Sequence, residues 1–251
     1  CTATFTLNTY TIGGSVTGLG SGKSLTLLNN GGDSQPVSAN GAFTFTTPVA
    51  SGGAYAVTVG TQPIGQICTV SSGSGTATAN VTTVAVNCAA TTYTVAYNGN
   101  GNTGGNTPTD STSHTHGATV TVLGNTGNLV KTGYSFSGWN TAANGSGSSY
   151  APAVTFTISD NTMLYAQWTA VPALSPATQT VSGSVGSPIP ATTIYTATGF
   201  TGTVSYTISP ALPSGLIWDA SSGVISGTPT ADQATTIFTV TGTGATSGTA
   251  T

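Results

Sequence analysis

Cys1-Thr2-Ala3-Thr4-Phe5-Thr6-Leu7 opens the chain with an alternation: Ala3, Phe5 and Leu7 fall on one side, Thr2, Thr4 and Thr6 on the other. Period two is the pattern of a half-buried β-strand. Asn8 and Thr9 separate this run from a second strand signal at Tyr10 to Ile12, so residues 1–8 read as a detachable arm. Across the 251 residues no stretch shows the 3.6-residue apolar period of a helix. Gly, Asn-Gly and Ser-Gly recur about every 8 to 12 residues, the punctuation of sandwiches and small barrels. The expectation is an all-β chain of tandem Ig-like β-sandwiches in an elongated array.

Composition narrows the function. Only 3% of residues are charged, against an ordinary share of about 25%. Lys23 and Lys131 are the basic residues, five Asp carry the side-chain acidity, and the net charge is -3. Such a chain has no field to attract nucleic acid or an anionic membrane. Abundant Val, Thr and Ile argue against disorder. Thr, Ser, Asn and Gly must form the polar surface, which is indifferent to salt and offers trypsin only the two lysines. That suits a protein outside a cell. No apolar run approaches the roughly 20 residues of a membrane helix.

Strand signals at Tyr10 to Val16, Lys23 to Leu28, Ala42 to Thr46, Ala54 to Val59, Gln66 to Val70 and Val81 to Val86 define a first module, residues 9–89. The runs Thr11-Ile12-Gly13-Gly14-Ser15-Val16, Leu27-Leu28-Asn29-Asn30-Gly31-Gly32-Asp33, Gln66-Ile67-Cys68-Thr69-Val70 and Val84-Ala85-Val86-Asn87-Cys88 resemble an Ig-like repeat of large bacterial surface proteins. The resemblance implies that Cys68 pairs with Cys88 in an oxidising compartment; two reduced core cysteines are the alternative.

Residues 92–169 form the second module. Val95-Ala96-Tyr97-Asn98-Gly99-Asn100-Gly101, Gly133-Tyr134-Ser135-Phe136-Ser137-Gly138-Trp139-Asn140 and Leu164-Tyr165-Ala166-Gln167-Trp168 resemble the Listeria-Bacteroides, or internalin B-type, repeat. That family implies a small β-grasp-like α+β module with a short helix or turn near Thr126 to Lys131. Trp139 is a core residue on this reading, with sugar stacking as the alternative.

Residues 172–251 form the third. Ser209-Pro210-Ala211-Leu212-Pro213-Ser214-Gly215-Leu216, Asp219-Ala220-Ser221-Ser222-Gly223-Val224-Ile225-Ser226-Gly227-Thr228-Pro229 and Phe238-Thr239-Val240-Thr241-Gly242 resemble an Ig domain of bacterial surface proteins, related to cadherin-like modules. Asp219 reads as a turn cap rather than a calcium ligand. The family implies one further strand after the Val240 strand, and Gly244 to Thr251 supplies only its beginning. Placing Thr2 to Leu7 after Thr251 completes the pattern. Phe238, Val240, Ala245 and Thr249 are then the acceptor region for a polymerisation strand made of Thr2, Ala3, Thr4, Phe5, Thr6 and Leu7.

The join has two explanations. Each subunit inserts its arm into the third module of the next, building a head-to-tail homopolymer such as a pilus-like filament. Alternatively the chain is one period of a giant surface adhesin that binds a host or matrix glycan or a host protein. With Cys68 and Cys88 paired, Cys1 is left for lipidation, as in a bacterial lipoprotein, or for an intermolecular bond. A lipid there would be the chain's one link to a membrane.

Chemistry-bearing constellations are sparse. Thr17-Gly18-Leu19-Gly20-Ser21-Gly22-Lys23-Ser24 is one residue from a phosphate-binding loop, but Leu25-Thr26-Leu27-Leu28 reads as a strand where that motif needs a helix. His114 and His116 with Asp110 make at best a weak metal site, and Lys23 or Lys131 could enter an isopeptide bond only beside a buried acid. No enzyme activity, cofactor or metal is expected.

Overall fold

Alternation sets which face each strand buries. In the computed structural model, which describes residues 6–245 and 249–250, every helix or strand element assigned is a strand. The chain divides into two compact units. The first runs to Ala96 and adds Asp110–Val122 and Val154–Thr162; the second comprises Tyr97–Thr109, Leu123–Ala153 and the described residues from Met163 onward.

In the first unit one sheet has the order Gly41–Thr44, Ile12–Thr17, Val81–Ala90, Gln66–Ser71, and another the order Asp33–Val37, Leu25–Asn29, Ala54–Thr61, Ser74–Thr76. A single apolar cluster joins their inward residues, among them Val16, Leu25, Leu27, Phe43, Val84 and Val86. Each such side chain stabilises by about 1.5–3 kcal/mol on burial. Val81–Ala90 lies antiparallel to Gln66–Ser71, with Cys88 opposite Cys68 and Val86 opposite Val70, and parallel to Ile12–Thr17, with Val86 opposite Val16. Gly14 permits the parallel pairing, because a Cβ there would stand 1.8 Å from the Val84 carbonyl oxygen. Cys68 and Cys88 are joined as a disulfide across the antiparallel edge. Further along, Thr92–Tyr93 pairs with His114–Thr115, and Thr119–Thr121 with Thr155–Thr157, burying Val120, Val122 and Ile158.

Val95–Asn98, Thr162–Ala170, Tyr134–Asn140 and Ser149–Tyr150 form a four-stranded sheet in that order. Trp139 is 1% exposed. Its indole Nε1–H donates to the Leu123 carbonyl at 2.9 Å, and the ring meets Tyr97 edge-on at 4.8 Å and Phe136 at 5.1 Å. Core packing, not sugar stacking, is its role.

The β-grasp-like α+β expectation is overturned: no helix is present among the described residues. A short helix or turn was anticipated near Thr126 to Lys131, and there Asn125 clamps a turn over 125–129. Its Oδ1 accepts from the Leu129 N–H at 2.7 Å and its Nδ2 donates to the Leu129 carbonyl at 2.8 Å. A side chain that captures backbone groups in this way competes with helix formation, and Asn128 sits at φ 52°, in the left-handed region.

Downstream, Ala173–Ser175 pairs with Thr196–Thr198 and Leu216–Asp219 with Val224–Gly227. The remaining strands, Ser205–Ser209, Thr239–Thr243 and Thr249–Ala250, form a three-stranded antiparallel sheet in that order.

Candidate functional site

The last of these strands is described over two residues, Thr249–Ala250. Thr249 lies opposite Thr243 and Ala250 opposite Gly242, and there the ladder ends among the described residues. The upstream residues 231–238 make no backbone-to-backbone hydrogen bond among the described residues, and neither do residues 177–183. Both stretches line one cavity of about 690 Å3, together with Ile189, Ile208, Leu216 and Ile225. Phe238 and Val240, expected as acceptor residues, line it half-buried, and Ile237 lines it too while 87% exposed. Ala245 lies outside the cavity and its N–H donates to the Thr201 carbonyl at 2.9 Å.

The cavity is thus flanked by backbone that makes no backbone-to-backbone hydrogen bond, although the Ala234 carbonyl accepts from the Thr236 hydroxyl at 2.9 Å. The 177–183 edge escaped the sequence reading, which had located only the Phe238 side. Its signal was Val181 amid small polar residues with no visible partner. Of the arm, Thr2, Ala3, Thr4 and Phe5 lie outside the described residues, as does Cys1; Leu7 is 68% exposed, a large apolar side chain held in water.

The other candidates resolve into structural roles. Asp219 Oδ1 accepts from the Ser221 N–H at 2.8 Å and the Ser221 hydroxyl at 2.7 Å, and Oδ2 from the Ser222 hydroxyl at 2.7 Å. The Ser221 hydroxyl foremost, then Ser222, holds the carboxyl at about 2. Asp110 Oδ2 meets His114 Nε2 at 2.9 Å. Burial pushes Asp110 up, but the bonds from His114 and Thr112 outweigh it and its pKa is lowered. His116 instead packs on Gly65 and the Tyr93 ring, and no group of three metal-ligating side chains occurs among the described residues. Lys23 Nζ donates to the Ile64 carbonyl, Lys131 lies 4.7 Å over the Tyr134 ring, and Leu25–Asn29 after the glycine-rich loop is a strand.

Residues 93–167 match the Listeria-Bacteroides repeat domain, and residues 167–251 match the family described as Putative Ig domain. Both are the repeat modules that the motifs implied. A Putative Gly-rich membrane protein of Evansella cellulosilytica is 46% identical over 70 residues, which cover 26% of this chain and 8% of that protein. The Listeria-Bacteroides repeat and the Ig-like module fit a bacterial surface repeat protein and support a structural role. Such modules, disulfide included, have the capacity for protein–protein contact.

Proposed function

We propose that the chain is a structural subunit of an extracellular bacterial fibre, three β modules long, in which the arm Thr2–Leu7 of one copy enters the trough of the Ig-like module in the next. The observation that carries this reading is the 690 Å3 cavity bordered by backbone at 177–183 and 231–238 that makes no backbone-to-backbone hydrogen bond among the described residues. An arm strand supplies the missing hydrogen-bond partners, while Phe5 and Leu7 each contribute about 1.5–3 kcal/mol on burial. A contact between unlike surfaces does not close on itself and propagates into a filament. The adhesin alternative draws little support from the aromatic residues: Trp139, Trp168 and Trp218 are buried or half-buried, each donating its indole N–H to a backbone carbonyl.

Native fibres dissolved under strongly denaturing conditions should release a chain near 24.5 kDa; a far larger chain overturns strand exchange between separate subunits. Deleting Thr2 to Leu7 should abolish filaments without lowering the thermal stability of the chain. Filaments of normal length from the deletion variant would remove the arm from the assembly.

A further inference from the structure

We infer that Asn144 is a glycosylation site, its side-chain amide taking a sugar from a diphosphate-activated donor, and that Asn80, which stands in the same tripeptide motif, is shut out. The site lies on a turn of the repeat domain and does not depend on strand exchange. Two tripeptides have the Asn-X-Ser/Thr form that amide glycosylation needs, Asn80-Val81-Thr82 and Asn144-Gly145-Ser146. The fold presents them in opposite ways.

Asn144 lies in the turn between Tyr134–Asn140 and Ser149–Tyr150, where residues 143–149 are all exposed. Its Oδ1 accepts from the Ser146 hydroxyl at 2.7 Å and from the Ser146 N–H at 3.1 Å, while its Nδ2 makes no hydrogen bond among the described residues. The nitrogen that must react therefore stands in water, and two donors draw electron density onto the amide oxygen, which eases loss of a proton from Nδ2. The turn is already fixed. Buried Asn140 holds the Gly145 and Gly147 carbonyls and the N–H groups of Ala142 and Gly147, and the Gly145 N–H donates to the Ala142 carbonyl at 3.0 Å. Gly145 sits at φ 80°, a conformation that suits glycine as the middle residue. A substrate segment that is preformed gives up little freedom when an enzyme binds it.

At Asn80 the amide is already engaged: Oδ1 accepts from the Thr11 N–H at 3.0 Å. Val81 opens the strand Val81–Ala90, opposite Ile12 in the parallel pair, and its N–H donates to the Thr11 carbonyl at 2.9 Å. Strand backbone is extended, so Thr82 cannot fold its hydroxyl back onto Asn80 unless this end of the ladder comes apart. At Asn144 nothing has to open. In the transfer, Nδ2 bonds to the anomeric carbon, the bond from that carbon to the diphosphate oxygen breaks, and the diphosphate leaves with the electron pair. The Nδ2 proton passes to a base of the transferase. On a surface with 3% charged residues, a glycan supplies the hydration that charge gives other proteins.

The test is peptide mass spectrometry on the chain purified from the bacterium that makes it. Wild-type protein should carry a sugar mass on the peptide holding Asn144 and none on the peptide holding Asn80. Asn144→Gln and Ser146→Ala should each abolish that sugar mass, Ser146→Thr should retain it, and Asn80→Gln should leave it unchanged, with circular dichroism confirming that each variant folds. An unmodified Asn144 in the wild-type chain overturns the site, as does conversion of Asn144 to Asp by loss of ammonia alone. Because that readout uses wild-type protein, it stands even if a variant fails to fold. Full glycosylation of the Ser146→Ala chain overturns the role of the hydroxyl, and equal occupancy of Asn80 overturns its exclusion. None of these outcomes bears on filament formation, which is read separately.

Discussion

Asn140 shows how much one amide can organise. It is completely buried, its Nδ2 donates to the Gly145 and Gly147 carbonyls and to Ser149 Oγ, and its Oδ1 accepts from the N–H groups of Ala142 and Gly147. Removing it strands those backbone groups in the turn that joins Tyr134–Asn140 to Ser149–Tyr150. Asn140→Ala should cost about 1–3 kcal/mol, seen as a lower urea midpoint at unchanged slope. Asp219 gives a pH signature of a different kind. Its folded pKa, about 2, lies below the ordinary 3.8. A depressed carboxylate favours the folded state fully above pH 3.8, and that contribution is lost as pH falls through about 2. Thermal melts between pH 4 and pH 2 should therefore show a steeper decline for the wild type than for Asp219→Asn; equal slopes would show that the turn does not depend on the ionised form.

At the scale of elements, the disulfide closes the strand pair Gln66–Ser71 and Val81–Ala90 over a sequence separation of 20. A loop of that size is worth about 3 kcal/mol in the chain-entropy picture. Replacing both cysteines by Ala should lower the unfolding midpoint accordingly, and an unchanged midpoint would mean that strand pairing alone fixes this edge. The β character of the chain was legible from residues such as Ala3, Phe5 and Leu7 and from the alternation of Val84, Val86 and Cys88, because period two reports directly on which face is buried. Trp139 was legible as core for a different reason, as a large apolar group in a small module, since a bulge between Phe136 and Gly138 breaks the alternation beside it. The turn at Asn125 was not, since a five-residue stretch carries no periodicity and its outcome hinges on one side chain capturing the Leu129 backbone. Nor was the 177–183 stretch, because which segments the fold brings beside a piece of backbone is not recorded in composition.

At the scale of the whole molecule, a chain with 3% charged residues has little to screen. Filament yield should stay constant between about 0.01 and 1 M salt, although the Debye length shrinks from about 30 to 3 Å over that range; a strong decline in light scattering would point to charge-driven contacts instead. The trough has a further consequence for growth. A polymer built this way has two unlike tips, one showing vacant troughs and the other free arms. A synthetic peptide spelling Thr2 to Leu7 should act as a chain terminator, poisoning the vacant-trough tip and leaving the other tip able to extend. Elongation from labelled seeds, watched by fluorescence microscopy, should become one-sided as the peptide is added.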